Sequence, residues 1–461
     1  MQHEWKNKRV TVMGLGLQGG GESAVRFFCR QGARVIATDL KTRTQLISTL
    51  KKLRNLKVQY VLGRHRREDF TSADLIIKNP GVPNDSSFLE AARKSGVPVE
   101  NEASVFFQYS PAPIIGITGT NGKGTVATLV TSLLKKKYPG IRLAGNIGKT
   151  AMLDILPKLD RRTPIVLELS SWQLEGLEPG KVSPGFALVT NITQDHLNRY
   201  RSLHEYARSK SIIVRFQKKS DTVVLNRDDK IVSGFKRLAK GKVIWFSLQS
   251  PGSKKYQGTW VDPRGIWFQN HGRKKLILSH KDIAVRGEHN LANIASAIAL
   301  AKCFDVSDAH VKQTVGKFRG LPYRLETVRR HRGVRWINDS ISSSPETMIA
   351  AIEAISQDGP IVLIAGGVDK NLDYRRAAKI IRQMVKTVIL FPGTATEKLR
   401  PGLKEMTVRK VSTMSQAVKM AQVMAEKNDQ VLLSPGAASF NLFTNAYDRA
   451  RQFNREVEKL Q

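Results

Sequence analysis

Residues 116–125 read Gly-Ile-Thr-Gly-Thr-Asn-Gly-Lys-Gly-Thr and join a short apolar run to a helical stretch. A glycine-rich turn between a strand and a helix presents successive backbone N–H groups, which can surround phosphates at the helix N-terminus. Lys123 can neutralise the β- and γ-phosphates, and the hydroxyl of Thr125 can reach Mg2+. The turn differs from a standard Walker A motif because Ile117 occupies its first glycine position. The stretch therefore predicts an α/β domain built around a nucleotide site.

The same alternation of β-branched runs, turns and helical stretches continues on both sides of this motif. Near-continuous apolar strands that alternate with helices indicate parallel sheets buried on both faces, so the predicted fold class is α/β throughout. The predicted strands are Arg9 to Met13, Arg34 to Thr38, Leu75 to Ile77, Ile114 to Ile117, Ile165 to Leu169, Phe186 to Thr190, Thr222 to Leu225, Ile361 to Ile364, Thr387 to Leu390 and Val431 to Leu433.

Two proline-containing joints divide the chain. One is Ser-Pro-Ala-Pro at 110–113, and the other is Gly-Leu-Pro at 320–322. A chain of 461 residues is long enough for several domains. The region 247–287, rich in Gly, Trp and Lys, is expected to form short antiparallel strands. We predict three domains, at 1–112, 113–319 and 320–461.

The composition excludes several classes of protein. Hydrophobic residues make up 41% and charged residues 25%, which is typical of a folded soluble protein rather than a disordered one. The two cysteines, Cys29 and Cys303, have no partner at disulfide-framework or metal-ligand spacing and are expected to be reduced. The first ten residues are polar, and no apolar run approaches the roughly 20 residues of a membrane span. We expect a cytoplasmic protein without membrane insertion.

The formal net charge of +36 attracts anionic ligands, whether nucleic acid or nucleotide substrates. The basic residues stand in scattered short clusters, without a zinc finger or an aromatic-rich RNA-binding motif. This distribution favours solvated basic faces, and nucleic acid is not the expected partner. A basic, nucleic-acid-associated P-loop protein stays open as an alternative, which steep salt dependence of DNA binding would support.

A second glycine-rich turn lies near the N-terminus, where residues 14–19 read Gly-Leu-Gly-Leu-Gln-Gly directly after a strand. Such a turn lets backbone N–H groups approach a diphosphate. Asp39 closes the next strand, where its carboxylate can accept a hydrogen bond from a ribose or a base. From the residues alone, a dinucleotide site and a ligand-free turn both remain possible.

Polar residues follow two apolar strands of the middle region. Glu168 ends one strand, and Asp195 and His196 follow another. Ligands bind at the carboxyl ends of strands in open α/β sheets, and these groups could hold a hard cation beside phosphates. Lys210 lies on a helical stretch, where a lysine is usually solvated, and nothing in the residues alone singles it out.

The order of these motifs resembles the Mur ligase family over nearly the whole chain. The motifs that carry the resemblance are Gly119-Thr-Asn-Gly-Lys123, Glu168-Leu-Ser-Ser171, Asn191-Ile-Thr-Gln-Asp-His196, Gly287-Glu-His-Asn290, Leu321-Pro-Tyr-Arg324 and Asn338-Asp-Ser340. Four further motifs resemble the members that add D-glutamate to UDP-N-acetylmuramoyl-L-alanine: the turn at 14–19, Asn79-Pro-Gly-Val-Pro83, Gly145-Asn-Ile-Gly148 and Leu433-Ser-Pro-Gly-Ala-Ala-Ser439. The resemblance implies a UDP-binding Rossmann-like domain, a central P-loop ATPase domain and a C-terminal Rossmann-like domain that binds the amino acid.

The resemblance also assigns roles to residues, with ATP and Mg2+ as cofactors. It implies catalytic roles for Lys123, Glu168, His196 and Lys210. It implies metal ligation by Thr125, Glu168, His196 and, once carbamylated, Lys210. It implies ATP binding by Gly119, Thr120, Asn121, Gly122, Lys123, Gly124, Thr125, Asn290, Arg324 and Asp339. The UDP-linked substrate is expected at Gly14, Leu15, Gly16, Gln18, Gly19, Asp39 and Asn146, and the amino acid at Ser343, Lys370 and Ser439.

The implied reaction is the formation of an amide through an acyl phosphate, in peptidoglycan precursor synthesis, by a monomer that acts on small molecules. The chain departs from the family pattern at Gly124, where a Ser or Thr is usual, at Ile341, where a lysine helps bind the amino acid, and at Ala446, where an aromatic is common. Gly-Lys-Gly-Thr also occurs in the related folylpolyglutamate synthases. Another Mur-type ligase or a folylpolyglutamate-type ligase is therefore the alternative enzyme.

Overall fold

Three β-sheets with flanking helices follow one another along the chain in the computed structural model, which describes residues 4–16, 19–147, 150–195 and 199–461. The first sheet has five parallel strands in the order β3-β2-β1-β4-β5. Its strands are β1 (Arg9–Met13), β2 (Arg34–Asp39), β3 (Val58–Leu62), β4 (Leu75–Lys78) and β5 (Val99–Glu100). Its helices are α1 (Gly20–Arg30), α2 (Ile47–Leu53), α3 (Glu68–Thr71), α4 (Ser87–Lys94) and α5 (Glu102–Tyr109).

The second sheet has nine strands in the order β14-β13-β12-β11-β10-β9-β6-β8-β7. They are β6 (Ile114–Thr118), β7 (Arg142–Gly145), β8 (Ile165–Glu168), β9 (Phe186–Val189), β10 (Thr222–Asn226), β11 (Lys242–Ser247), β12 (Gly258–Asp262), β13 (Gly265–Asn270) and β14 (Arg273–Ser279). The helices are α6 (Lys123–Leu134), α7 (Met152–Ile155), α8 (Ser171–Glu175), α9 (Leu203–Arg215), α10 (Lys230–Gly234), α11 (Glu288–Lys302) and α12 (Asp308–Lys317). Strands β12, β13 and β14 pair antiparallel, which confirms the prediction for the region 247–287.

The third sheet has six strands in the order β15-β16-β20-β17-β18-β19, all parallel except the β15–β16 pair. They are β15 (Glu326–His331), β16 (Val334–Asn338), β17 (Ile361–Ala365), β18 (Thr387–Leu390), β19 (Val408–Lys410) and β20 (Gln430–Leu433). The helices are α13 (Pro345–Ile355), α14 (Arg375–Met384), α15 (Thr394–Leu399), α16 (Met414–Met424) and α17 (Ala446–Glu458). The predicted breaks near residues 112 and 320 lie in the intervals between the sheets.

The central strands are buried on both faces, which is why they are apolar without interruption. On β8, Ile165 and Leu167 belong to one hydrophobic cluster, and Val166 belongs to the cluster on the opposite face. The first of these clusters continues into the first sheet and includes Val10, so the first two sheets share one core. Within the described residues, no helix combines the length and the apolar composition needed to cross a membrane.

The parallel pairing of β6, β8 and β9 brings their carboxyl ends to one edge of the second sheet. The segments that leave this edge are the glycine-rich turn after β6, the polar stretch after Glu168, and the stretch from Thr190 to Asp195 after β9. The fold thereby places the three chemical motifs of the middle region beside one another.

Candidate active site

The glycine-rich turn 119–122 connects β6 to the N-terminus of α6, as its sequence predicted. Gly119 has φ +146, and a Cβ there would lie 1.9 Å from the hydroxyl oxygen of Thr190, so the position tolerates only glycine. The turn is fastened to the segment after β9 because Thr120 N donates to the carbonyl oxygen of Asn191 (2.7 Å), and Asn121 N donates to the side-chain oxygen of Asn191 (2.9 Å). Its backbone is therefore held in place before any phosphate binds.

Lys123 and Glu168 carry opposite charges beside this turn, Glu168 buried and Lys123 partly exposed. Lys123 Nζ donates to the carbonyl oxygens of Gly119 (3.1 Å) and Thr120 (2.8 Å). Glu168 ends the neighbouring strand, and its Oε1 accepts a hydrogen bond from Asn146 Nδ2 at 3.0 Å. Burial is the largest influence on both groups: it lowers the pKa of Lys123 and raises the pKa of Glu168, and each partner's charge opposes that shift. A further cation or anion bound here would therefore shift the pKa values of both groups strongly.

Lys210 lies in α9 with only 1% of its surface exposed, so the expectation of a solvated lysine, drawn from the residues alone, is wrong. Its Nζ lies 4.6 Å from the centroid of the Tyr206 ring. Burial, and next the positive charge of Lys123, lower the pKa of Lys210 well below its usual value. The structure thus favours a neutral, nucleophilic amine at this position.

The described residues supply an incomplete set of metal ligands. No group of three or more His, Cys, Asp or Glu able to hold a metal is found among them. Glu168 supplies one carboxylate, and the predicted ligand His196 lies outside the described residues. Thr125 lines the cavity next to the glycine-rich turn, which is described below. At the departure Gly124, a Cβ would lie 3.1 Å from Glu168 Oε2, so a side chain there would crowd this carboxylate.

A cavity of about 330 Å³ opens between the second and third sheets, next to the glycine-rich turn. Six of the residues predicted to bind ATP line it. Asn121, Gly122 and Thr125 belong to the glycine-rich turn and α6, Asn290 lies at the start of α11, and Arg324 and Asp339 come from the C-terminal region. Asp339 is held by hydrogen bonds from Ser434 Oγ (2.8 Å) and Leu325 N (3.2 Å), and burial raises its pKa to about 7.

Several lining residues were not predicted from the sequence. They include Thr190, Asn226, His289, Asn293, Glu346 and Thr347. Asn293 lies one helical turn after Asn290, so helical periodicity could have indicated it. Burial lowers the pKa of His289 to about 4, which keeps its ring neutral beside the cavity. One carboxylate oxygen of Glu346 is buried and has no hydrogen-bond partner among the described residues.

The residues predicted to bind the amino acid converge at the edge of the third sheet. Lys370 Nζ donates to Ser343 Oγ at 3.0 Å and lies 3.4 Å from Asp195 Oδ1 of the middle region. Ser439 is almost fully buried, and its neighbour Ala438 pairs with Val368, two residues before Lys370, through two backbone hydrogen bonds of 2.9 Å. A cation and two hydroxyl groups thus lie near one another, beside the segment that follows β9.

Arg449 holds two of these segments together, and the sequence analysis did not predict this role. Its side chain is 1% exposed and donates to the carbonyl oxygens of Ser340 (2.8 Å) and Ala437 (3.1 Å). It thereby links the turn after Asp339 to the segment that carries Ser439. Ile341 is half-buried in the same region, and its N–H points at the carbonyl oxygen of Tyr323 (3.4 Å).

The N-terminal glycine-rich turn is closed by Asp39. One carboxylate oxygen accepts from Gly16 N (3.1 Å) and the other from Lys41 N (2.9 Å). The side chain of Leu15 is buried in the core, so only its backbone can reach a ligand. The predicted residue Gln18 lies outside the described residues, whereas Gly14 and Gly19 flank the turn with positive φ angles. Asn146, predicted for the same substrate, donates a hydrogen bond to the Glu168 carboxylate of the second sheet.

Family models match each of the three regions. The Mur ligase MurD-like N-terminal domain matches residues 8–101, the Mur ligase middle domain matches 117–301, and the Mur ligase glutamate ligase domain matches 323–436. Among solved structures, a UDP-N-acetylmuramate-alanine ligase (MurC) from Thermotoga maritima has a TM-score of 0.64 at 19% identity and covers 98% of this chain and 99% of its own. A MurF ligase from the same organism, solved with ADP, has a TM-score of 0.59 at 17% identity, with 92% and 95% covered.

Curated relatives match the chain over nearly its whole length. A UDP-N-acetylmuramoylalanine--D-glutamate ligase from Roseiflexus sp. (strain RS-1) is 40% identical, and the match covers 98% of each chain. An enzyme of the same name from Borreliella afzelii (strain PKo) is 36% identical, with 99% of each chain covered. The match of all three domains, together with identity at this level over the full length, shows that the chain belongs to the Mur ligase family.

Proposed function

We propose that this chain is an ATP-dependent ligase that adds D-glutamate to UDP-N-acetylmuramoyl-L-alanine in peptidoglycan precursor synthesis. The observation that carries the proposal is the convergence of Lys123, Glu168 and Lys210 on one buried centre, between the nucleotide cavity and the Lys370–Ser343 pair. The full-length similarity to enzymes named for this reaction supports the same acceptor.

The proposed reaction begins with transfer of the γ-phosphoryl group. An oxygen of the alanine carboxylate forms a bond to the γ-phosphorus of ATP, and the bond from this phosphorus to the ADP oxygen breaks. The backbone N–H groups of the turn 119–122 and the ammonium group of Lys123 neutralise the charge on the transferred group. The amino group of D-glutamate then attacks the carbonyl carbon of the acyl phosphate, loses a proton and displaces inorganic phosphate as the amide forms.

Mg2+ fits the polar groups at this centre. Glu168 is a buried carboxylate, and burial raises its pKa because it disfavours the charged form. Thr125 and a carbamylated Lys210 would complete its ligand set, together with His196. When bound, Mg2+ neutralises phosphate charge and orients the γ-phosphoryl group. Gly124 carries no hydroxyl group, so Thr125 takes the hydroxyl role in this proposal.

The neutral amine of Lys210 can add to carbon dioxide. Its nitrogen forms a bond to the carbon and releases a proton, which leaves a carbamate with one negative charge. This addition requires the deprotonated amine, the form that burial favours here. The product supplies a negatively charged, carboxylate-like oxygen pair in place of the neutral amine.

For the acceptor, we propose that Lys370, Ser343 and Ser439 bind the carboxylate groups of D-glutamate. Lys370 supplies a charge-assisted hydrogen bond, which is about twice as strong as a neutral one. Because Ile341 stands where the family pattern has a lysine, the site has one cation fewer. Lys370 therefore contributes a larger share of the binding of the D-glutamate carboxylates. We also propose that 1–112, 113–319 and 320–461 are the domains and that one chain, acting in the cytoplasm as a monomer, carries the whole site.

Phosphate release from ATP tests the proposal. The purified protein is given Mg2+, UDP-N-acetylmuramoyl-L-alanine and each D- and L-amino acid in turn. We expect release that depends on D-glutamate, and amide product of the corresponding mass. Release with a different amino acid would overturn the acceptor. Absence of release with every amino acid, from protein that binds ATP, would overturn the ligase function.

A further inference from the structure

The loop Asn79–Asn84 forms one wall of the proposed UDP site. It follows β4 at the carboxyl edge of the first sheet and packs on the N-terminal glycine-rich turn, where a Cβ at Gly14 would lie 2.9 Å from the Cβ of Asn79. The Asn79 side chain accepts from Gly81 N at 3.2 Å and so stiffens the loop. Displacement of this loop would therefore disturb the turn expected to bind the UDP-linked substrate.

The opposite side of the loop is fastened to the middle domain by Arg199 and Glu175. Arg199 Nη1 donates to the carbonyl oxygen of Pro80 at 2.6 Å, and its Nη2 donates to Glu175 Oε2 at 3.3 Å. Asn84 Nδ2 donates to the same Glu175 oxygen at 3.0 Å. The guanidinium group also lies 4.6 Å from the centroid of the Trp172 ring. One carboxylate and one guanidinium group thus join the loop to the ATP-binding domain.

Lys78 supports the loop from beneath. It is 6% exposed, and its Nζ donates to the carbonyl oxygen of Val82 (3.2 Å) and to Asn84 Oδ1 (2.5 Å). Burial, and next the charge of Arg199, lower the pKa of Lys78 to about 8, whereas Glu175 opposes this shift. The negative charge of Glu175 therefore offsets the positive charges of Lys78 and Arg199 at the domain junction.

A series of side-chain contacts connects Glu175 to the buried reaction centre. The Tyr200 hydroxyl donates to the second oxygen of Glu175, and the Tyr200 ring lies 5.2 Å from the ring of Tyr206. Tyr206 in turn contacts Lys210. An unbroken series of packed side chains thus runs from the loop 79–84 to the amine beside Glu168.

We propose that Arg199 and Glu175 are positioning residues, which hold the loop of the UDP site against the ATP-binding domain and so set where the substrate carboxylate lies relative to the γ-phosphate. This proposal rests on the proposed function, because it takes the UDP-linked substrate as the ligand of the first domain. Neither residue lines the nucleotide cavity, so loss of the fastening affects alignment and leaves ATP binding intact. A misplacement of about 1 Å can cost about 100-fold in rate.

Steady-state kinetics of Arg199→Met, Glu175→Gln and the double variant test the proposal. We expect kcat/KM for UDP-N-acetylmuramoyl-L-alanine to fall about 10- to 100-fold in each single variant, with KM for ATP unchanged within about twofold. The double variant should lose less than the product of the two single losses, because both changes remove the same Arg199–Glu175 ion pair. Arg201→Ala, an exposed residue two positions away, is the matched control and should behave as the parent.

Two further measurements separate the outcomes. Calorimetry with UDP-N-acetylmuramoyl-L-alanine and with the nonhydrolysable ATP analogue AMP-PNP reports binding without turnover, and thermal melting reports folding. Equal losses for both ligands, or a parent-like kcat/KM in Arg199→Met, would overturn the positioning role. Inactivity of the parent with these substrates would overturn the proposed function instead.

Discussion

Replacement of Lys210 by alanine should abolish most of the ligase activity, and a short-chain carboxylic acid should restore part of it. The side chain is buried between Tyr206 and the Lys123–Glu168 pair, and the lowered pKa of its amine permits carbamylation. Alanine removes the amine, and with it the proposed carbamate, and leaves a cavity beside the proposed metal site. Acetate can enter such a cavity and supply the missing carboxylate.

The size of the effect follows from the burial of this site. Loss of one partner from a buried, hydrogen-bonded set of charges costs about 2–5 kcal/mol. Each 1.36 kcal/mol corresponds to a factor of ten in rate. We therefore expect kcat to fall about 30- to 5,000-fold in Lys210→Ala. Removal of dissolved carbon dioxide should lower the activity of the parent in the same direction, and bicarbonate should restore it.

Phosphate release at saturating substrates is the assay, with and without added acetate. Lys210→Arg introduces a permanent positive charge and cannot form the carbamate, so it should be inactive and not rescued. Arg208→Ala, at an exposed position on the same helix, is the control for damage to α9 and should keep full activity. Full activity of Lys210→Ala without acetate, or substantial activity of Lys210→Arg, would refute the reasoning.

Three other changes test the remaining parts of the site. In Lys370→Met, loss of a charged hydrogen bond of about 1.5–3 kcal/mol should raise KM for D-glutamate about 10- to 100-fold while KM for ATP stays the same; equal changes in both values would contradict the assigned role. Gly119→Ala, whose Cβ would lie 1.9 Å from the Thr190 hydroxyl oxygen, should lose ATP binding in calorimetry, whereas Gly63→Ala, also at a positive φ (+79) but with open space around it, should keep it. Because burial raises the pKa of Asp339 to about 7, its ionisation costs folding stability as the pH rises from about 4 to 7. Asp339→Asn removes this cost, so its Tm relative to the parent should rise by several degrees between pH 5 and pH 8, and an unchanged difference would contradict a buried, titrating Asp339.

The main strands and both glycine-rich turns could be predicted because their signals are local. The run Ile114 to Ile117 and the turn after it reveal a strand, a phosphate-type turn and a helix within about 20 residues. Short strands such as Val99–Glu100 were missed, since two residues carry no periodicity. Their pairing depends on a neighbouring strand that is already in place.

The burial of Lys210 and the tether made by Arg449 could not be predicted from residues alone. The sequence around Lys210 reads as an ordinary amphipathic helix, and only its packing against the strand and turn of the second sheet removes the amine from water. Arg449 contacts carbonyl groups 12 and 109 positions away in the chain. Such placements arise from tertiary packing, which no local pattern encodes.

The nucleotide cavity lies between two sheets, so its ligand must touch both at once. Asn293 and Arg324 face it from opposite sides, and the contact between Lys370 and Asp195 crosses the same junction. A ligand that favours the closed junction raises the affinity for a second such ligand by the same factor, and the reverse holds equally. Nucleotide and amino acid should therefore assist each other's binding without any contact between them.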